Sequence, residues 1–174
     1  MASPAIRAAT PLDRDAILAL VKEAFSRGGR DGQEEVDIVV TTWRLEAMLE
    51  GLELVALDGE LVVGHALGAR ADLGGRVVVA VAPLAVKPSH QGRGLGSALM
   101  TELIRRADAA SYALVALLGN PAYYGRFGFE PAGPLNIYYP PVGVGDPHFQ
   151  VRRLSAFDPS YSGKLTYCWE AVEG

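Results

Sequence analysis

The chain has 174 residues, of which 49% are hydrophobic and 21% charged, as is ordinary for one soluble globular domain. Its formal net charge of -4 at pH 7 argues against a protein that binds nucleic acid through a broad basic surface. The sequence shows neither a secretory leader nor a run of 18 apolar residues, so we expect no membrane partner. A single cysteine, Cys168, cannot form an internal disulfide, which favours the reducing cytoplasm.

The first third of the chain predicts a short strand and two amphipathic helices. Residues 6–8 read as the strand, and the Thr-Pro-Leu-Asp run at 10–13 is typical of a helix start. Thr is a common N-cap residue, Pro fits the first turn of a helix, and the negative charge of Asp interacts favourably with the helix dipole. Apolar residues then recur at helical spacing. A polar, glycine-rich loop over residues 26–33 precedes a second helix, predicted over residues 36–51.

The pattern changes to strands after the second helix. Residues 52–57 and 61–70 form two strands, joined by the tight turn Asp-Gly-Glu. Residues 77–86 form a long apolar strand, expected at the centre of the sheet, in which Pro83 cannot donate a backbone hydrogen bond. We therefore expect the sheet to bulge or splay near Pro83. This break would leave three residues with backbone groups free to bind something else, namely Leu84, Ala85 and Val86.

The second half of the chain alternates helix and strand again. Residues 95–107 predict a third helix, residues 113–118 a buried strand, and residues 120–132 a short helix with a turn. An ordered loop rich in Pro, Gly and Tyr over residues 133–147 precedes two last strands, at 149–154 and 164–169. Since no shift in composition marks a domain boundary, the alternation predicts one α/β (α+β) domain with a mixed sheet.

Three glycines, Gly92, Gly94 and Gly96, fall within five residues just before the third helix. A helix N-terminus presents unpaired N–H groups and a partial positive charge, and bare glycines let an anion approach the backbone. The segment is therefore a candidate cradle for phosphate oxygens, with further donors on Gln91, Arg93 and Ser97. A P-loop would need a lysine before Ser97, and a dinucleotide fingerprint would need another glycine spacing. A flexible strand-to-helix connection is the simpler reading of the glycines alone.

At these residues the sequence resembles the GCN5-related N-acetyltransferase (GNAT) family. The family signature, Gln/Arg-x-x-Gly-x-Gly/Ala after Val-x-Pro, corresponds to Val-Lys-Pro at 86–88 and Gln-Gly-Arg-Gly-Leu-Gly at 91–96. A second family mark, an aromatic-Tyr-x-x-x-Gly-Phe segment, corresponds to Tyr-Tyr-Gly-Arg-Phe-Gly-Phe at 123–129. The resemblance extends over residues 6–132, and the later strand His-Phe-Gln-Val-Arg-Arg-Leu also looks like a bacterial branch of predicted N-acetyltransferases.

The resemblance implies a single GNAT-like domain over residues 1–174, with core motifs at 77–132 and a C-terminal loop and strands at 133–174. It implies a mixed sheet splayed near Pro83–Val86, flanked by about four helices, and acetyl-CoA as acetyl donor without a metal. Backbone groups at the end of the central strand would bind the acetyl and pantetheine end. Loop amides would hold the pyrophosphate, and an asparagine the pantetheine arm. The implied cofactor-binding residues are Leu84, Ala85, Val86, Gln91, Gly92, Arg93, Gly94, Leu95, Gly96, Ser97 and Asn120.

The implied reaction moves an acetyl group from a thioester to a primary amine by direct attack. Tyr124 matches the family tyrosine placed near the sulfur, and we expect it to act as general acid, because a phenol can protonate a leaving thiolate. The general base stays open. His65 has the residue type for it, but a histidine inside a strand is more often structural, and a water molecule or no base at all would also serve.

Three readings of the function remain open from the sequence. The first is an acetyl-CoA-dependent N-acetyltransferase, acting on an amine of a small molecule or of a protein. The second is a non-catalytic acyl-CoA-binding module or sensor, which the intact Tyr124 disfavours. The third is an acyltransferase that uses a longer acyl-CoA. A homodimer is the default assembly, and Arg152 and Arg153 are expected to be ordinary surface charge.

Overall fold

The computed structural model describes residues 4–172, which form nine strands and four helices joined by turns, several of them 3-10 helical. None of the described helices is long and apolar enough to cross a membrane. The helices are α1 (Arg14–Phe25), α2 (Gln33–Arg44), α3 (Leu95–Ala109) and α4 (Pro121–Tyr124). The strands are β1 (Ala5–Ala8), β2 (Met48–Asp58), β3 (Leu61–Leu73), β4 (Arg76–Val86), β5 (Leu114–Leu118), β6 (Glu130–Pro131), β7 (Ile137–Tyr138), β8 (Phe149–Arg153) and β9 (Gly163–Tyr167).

The chain divides into two compact units. The first contains the described residues up to Gly68 together with Ala82–Leu103, and the second contains Ala69–Val81 together with the chain from Ile104 onward. The strands β3 and β4 and the helix α3 each pass from one unit into the other, because the division falls inside all three elements. The mixed sheet and four helices confirm the fold class predicted from the sequence.

The first unit contains the strand order β1-β2-β3-β4 and the helices α1 and α2. β1 pairs antiparallel with β2, with Ile6 opposite Ala56. Just before α1, the Asp13 carboxylate accepts two hydrogen bonds from the Arg7 guanidinium and one from the Thr10 backbone N–H. These contacts lower the pKa of Asp13 to about 2, mainly through the Arg7 hydrogen bond. The predicted helix start at residues 10–13 is therefore stabilised by an ion pair with β1.

The end of β4 presents its backbone in two directions. The Lys87 N–H donates to the Val63 carbonyl at 2.8 Å, so this backbone group faces β3. Because successive residues of a strand alternate in hydrogen-bond direction, Ala85 also faces β3, while Leu84 and Val86 face away from it. The Ala82–Pro83 peptide bond is cis, and the described pairing of β4 with β5 lies earlier, at Val79 and Ala80.

The second unit contains the strand order β3-β4-β5-β8-β6, with β9 pairing with both β3 and β7. The pairing of β4 with β5 is parallel, and that of β5 with β8 is antiparallel, with Ala116 opposite Val151. The buried core between these elements is apolar and rich in aromatic rings. The ring centroid of Tyr167 lies 4.8 Å from that of Tyr139 and 4.6 Å from that of Trp169.

The prediction that the second helix runs to residue 51 is wrong. The helix ends at Arg44, because Glu46 adopts a left-handed conformation with φ of 51°. The Ala47 N–H bonds to the Thr42 carbonyl and the Glu46 N–H to the Trp43 carbonyl, which is the Schellman pattern of a helix end. Strand β2 consequently begins at Met48, earlier than predicted. The loop predicted over residues 133–147 also contains the two-residue strand β7.

Candidate active site

The glycine loop before α3 has the geometry expected of an anion cradle. Gly92 and Gly94 adopt positive φ values of 77° and 82°, and a Cβ at either position would meet nothing within 4 Å. The Ala98 N–H donates to the Gly94 carbonyl, so the amides of Leu95, Gly96 and Ser97 precede the first intrahelical bond. Leu95, Leu99 and Leu103 anchor the helix in the core. The loop therefore offers amides without an intrahelical partner on a fixed helix end.

Gln91 ties this loop to two other segments of the first unit. Its Nε2 donates to the Val86 carbonyl at 3.1 Å, and its Oε1 accepts from the Arg27 guanidinium at 3.0 Å. The sequence predicts Gln91 as a side-chain donor to phosphate, whereas one of its two amide hydrogens is used within the protein. Arg93 is exposed, as a phosphate-binding side chain requires. The Gln91 side chain thus bonds the loop to the end of β4 and to Arg27, and the exposed Arg93 side chain is the better placed of the two to donate to a phosphate.

The three predicted residues at the end of β4 are not equivalent. The Ala85 carbonyl lies 3.6 Å from the position that a Cβ on Gly64 of β3 would occupy, in agreement with its orientation toward β3. Leu84 and Val86 face the other way, although the Val86 carbonyl accepts from Gln91. The backbone groups that point away from β3 are therefore those of Leu84 and the N–H of Val86, whereas the Ala85 backbone faces β3.

Tyr124 lies in the second unit, at the end of the short helix α4. Asn120 caps this helix, because its Oδ1 accepts from the Ala122 N–H at 3.0 Å, and the residue is exposed. The Tyr124 ring packs edge-on against Tyr123 and Phe129, with centroids 4.9 and 5.9 Å away. It also covers Gly119, where a Cβ would lie 2.7 Å from Cδ2 of the ring. Gly119 therefore makes room for the tyrosine.

Burial raises the pKa of the Tyr124 phenol to about 12, with a further contribution from Tyr123. A tyrosine with this pKa keeps its proton throughout the physiological pH range. The phenol therefore carries a proton that it could donate, although the raised pKa makes transfer of that proton to a thiolate less favourable than from an ordinary tyrosine.

Strand β8 holds both ends of the segment that carries Asn120 and Tyr124. The buried Gln150 donates from Nε2 to the Gly119 carbonyl at 3.0 Å. Arg152 donates from Nε to the Phe127 carbonyl, also at 3.0 Å. The sequence pattern does not predict the role of Gln150, and the expectation that Arg152 is ordinary surface charge is wrong, because its side chain is bonded to this segment. No local pattern could show these bonds, because each joins residues at least 25 positions apart.

His65, the histidine considered as a base, is completely buried in β3. Its Nε2 lies 3.0 Å from Glu53 Oε1, and the same oxygen accepts from Trp43 Nε1 at 2.9 Å. Glu53 could not be predicted from the sequence, since only the fold brings α2, β2 and β3 together. The other two histidines pair with surface carboxylates, His90 with Asp58 and His148 with Asp146.

The predicted site residues fall into two groups. Leu84 to Ser97 belong to the first unit, whereas Asn120 and Tyr124 belong to the second. Within the first group, Gln91 joins the β4 end to the glycine loop. Within the second, Asn120 and Tyr124 share one short helix and its cap. Among the described residues, no cluster of three His, Cys, Asp or Glu side chains has the arrangement of a metal site.

The family model for the acetyltransferase (GNAT) domain matches residues 50–131. The chain is 35% identical to YhbS of Escherichia coli K12, an uncharacterized N-acetyltransferase, over 86% of this chain and 87% of that protein. The chain belongs to the GNAT acetyltransferase family. This finding confirms the resemblance read from residues 86–96 and 123–129, and it makes the protein an acyltransferase.

Two solved structures extend the comparison to the cofactor. The E. coli YhbS structure in complex with CoA has a TM-score of 0.83 at 31% identity, over 94% of this chain and 89% of that chain. A GNAT family acetyltransferase from Brucella melitensis in complex with acetyl-CoA has a TM-score of 0.77 at 26% identity, over 95% of this chain and 96% of that chain. These CoA and acetyl-CoA complexes support acetyl-CoA as the donor for this GNAT enzyme.

Proposed function

We propose that this GNAT enzyme transfers an acetyl group from acetyl-CoA to a primary amine by direct attack, with Tyr124 as the general acid. The observation that carries the proposal is the environment of Tyr124. Its ring is fixed on Gly119 in a segment that β8 holds at both ends, and its phenol carries a proton at physiological pH. A positioned donor of this kind contributes roughly 100-fold or more to a proton transfer.

The glycine loop supports the cofactor half of the proposal. The amides of Gly92 to Ser97 would hold the pyrophosphate, because the positive φ values of Gly92 and Gly94 expose them and the open space at both glycines admits phosphate oxygens. Leu84 and Val86 would bind the pantetheine end as an added strand would, and the Asn120 amide would donate to the same arm. Bound acetyl-CoA would supply a thioester that an amine can attack.

The remaining parts of the proposal concern the setting of the reaction. Residues 1–174 act as one N-acetyltransferase domain, in the cytoplasm, and the default assembly is a homodimer. The acceptor is an amino group on a small molecule or on a protein, and neither nucleic acid nor a membrane is a partner. The description of YhbS as an N-acetyltransferase supports an amine as the acceptor class.

Calorimetric titration with acetyl-CoA tests the proposal, with dephospho-CoA, propionyl-CoA, NAD and ATP as competitors. We expect micromolar and selective binding of acetyl-CoA, followed by thiol release in a screen of primary amines. In that screen, Tyr124→Phe should lower kcat by about 100-fold and leave the acetyl-CoA affinity within a few-fold. Folded protein that binds no CoA species would refute the enzyme function. An unchanged kcat in Tyr124→Phe, with chemistry rate-limiting, would remove Tyr124 from the acid role.

A further inference from the structure

A buried polar group of three side chains lies in the first unit, apart from the glycine loop. Glu53 of β2 accepts two hydrogen bonds on one oxygen, Oε1. One comes from the Trp43 indole of α2 at 2.9 Å, and the other joins it to His65 Nε2 of β3 at 3.0 Å. The direction of the second bond depends on the His65 tautomer, and a carboxylate at Glu53, which only accepts hydrogen bonds, requires the proton on His65 Nε2. Two elements thus fix one carboxylate in a single orientation.

The three side chains differ in their access to solvent. The His65 side chain is 0% exposed and Trp43 is buried, whereas 13% of the Glu53 side chain reaches the surface. Both donors bind Oε1, and Oε2 accepts no hydrogen bond from the residues that the structure describes. Glu53 is therefore the group of the three that can meet a ligand, and Oε2 is the atom that remains available for a proton.

A purely structural role explains this group poorly. Burying a carboxylate to attach a helix to a sheet is costly, and apolar side chains of similar size stabilise such a contact at least as well. In addition, His65 Nδ1 is buried without a hydrogen-bond partner among the described residues, which is a further cost that packing alone does not require. A catalytic role is one explanation for a buried polar atom that is left without a partner.

The strand order places this group beside the end of β4. β3 pairs between β2, which carries Glu53, and β4, where Leu84 and Val86 present their backbone away from β3. His65 lies two residues after Val63, whose carbonyl receives the Lys87 N–H, so Ala85 is the residue of β4 opposite His65. Three neighbouring strands therefore carry Glu53, His65 and Ala85 side by side, and Ala85 is flanked by the residues proposed to bind the acetyl end.

We propose that Glu53 is the proton acceptor for the attacking amine, positioned by Trp43 and His65. This inference rests on the proposed function. The neutral amine nitrogen forms a bond to the acetyl carbon and becomes positively charged, and one of its protons passes to Glu53 Oε2 through solvent, because β2 lies two strands, roughly 10 Å, from β4. The C–S bond breaks, and the leaving thiolate takes a proton from Tyr124. Solvent then removes the proton from Glu53 and returns one to Tyr124, so the products are the amide and CoA thiol.

Glu53→Gln is the sharpest test, because glutamine keeps the shape and can still accept from Trp43 and His65 through Oε1. We expect kcat to fall by at least about 100-fold with the best amine of the screen, while acetyl-CoA affinity stays within a few-fold. With hydroxylamine, which is largely uncharged at neutral pH and loses its proton more readily, the loss should shrink to less than about 10-fold. Glu50→Gln, an exposed position on the same strand, is the matched control and should retain wild-type kcat.

A second variant keeps the proposal testable if Glu53→Gln does not fold. Glu53→Ala leaves space for a small carboxylate, so added formate should restore part of the lost kcat. His65→Gln, which keeps a donor toward Glu53, should retain more activity than His65→Leu, because His65 acts only through Glu53.

Three outcomes would overturn the proposal. A folded Glu53→Gln with wild-type kcat excludes Glu53 as proton acceptor and leaves the acetyltransferase function standing. Equal losses with amine and hydroxylamine, without formate rescue of Glu53→Ala, make Glu53 structural. A wild-type chain that binds acetyl-CoA but acetylates neither amines nor hydroxylamine overturns the proposed function, and this inference with it.

Discussion

Gly119→Ala should disable the enzyme by moving Tyr124, although residue 119 itself has no chemical group to lose. The new Cβ would lie 2.7 Å from Cδ2 of the tyrosine, whereas non-bonded carbons pack at about 3.5 Å. The ring must therefore move by about 1 Å. The φ of Gly119 lies outside the left-handed region, so the backbone accepts alanine. A displacement of about 1 Å can cost roughly 100-fold in rate, and we expect kcat to fall by that factor.

A double-mutant cycle decides whether the loss passes through the tyrosine. If it does, Gly119→Ala should lower kcat strongly in the wild type but by less than about 3-fold in Tyr124→Phe, because the two changes remove the same proton transfer. The assay is steady-state thiol release at saturating acetyl-CoA. Gly125→Ala is the control, since a Cβ there meets nothing within 4 Å. Additive losses in the double variant, or wild-type kcat in a folded Gly119→Ala, would refute the reasoning.

The remaining predictions concern binding, stability and pH. Gly94→Glu should abolish acetyl-CoA binding in calorimetry, whereas Gly94→Ala, which shares the strain of a positive φ but adds no charge, should weaken it less; equal affinities would contradict the cradle. The lowered pKa of Asp13 contributes stability that is complete above pH 4 and is lost as the pH falls toward 2. Allowing for Arg7 being 43% exposed, we expect the free energy of unfolding of Asp13→Asn, measured by urea titration, to fall by about 1–2 kcal/mol less than that of the wild type between pH 5 and 2. Parallel plots of unfolding free energy against pH for the two proteins would contradict this. Because the pKa of Tyr124 is raised to about 12, ionisation of Tyr124 should not lower kcat/KM for acetyl-CoA between pH 8 and 10. The contrary result is a decline of kcat/KM in the wild type over this range that disappears in Tyr124→Phe, since it would show that Tyr124 titrates there.

The sequence predicted the parts of the site that are local in the chain. The glycine loop, the helix after it and the short helix at Tyr124 each follow from residues within one turn of one another. The end of α2 was missed because Glu46, rather than a glycine, takes the left-handed position. Glu53 and Gln150 were missed for a different reason, since their partners lie 10 or more residues away and only the strand order brings them together.

The bonds from β8 to the Tyr124 segment affect how much of the chain the activity needs. The match to the GNAT family model ends at residue 131, yet two carbonyls of the tyrosine segment are bound by side chains at 150 and 152. A chain shortened to the matched region would keep every family motif and lose the restraints on Tyr124, the proposed proton donor. Substitutions in the last quarter of the chain should therefore impair turnover before they impair cofactor affinity, so binding alone is an incomplete measure of an intact enzyme.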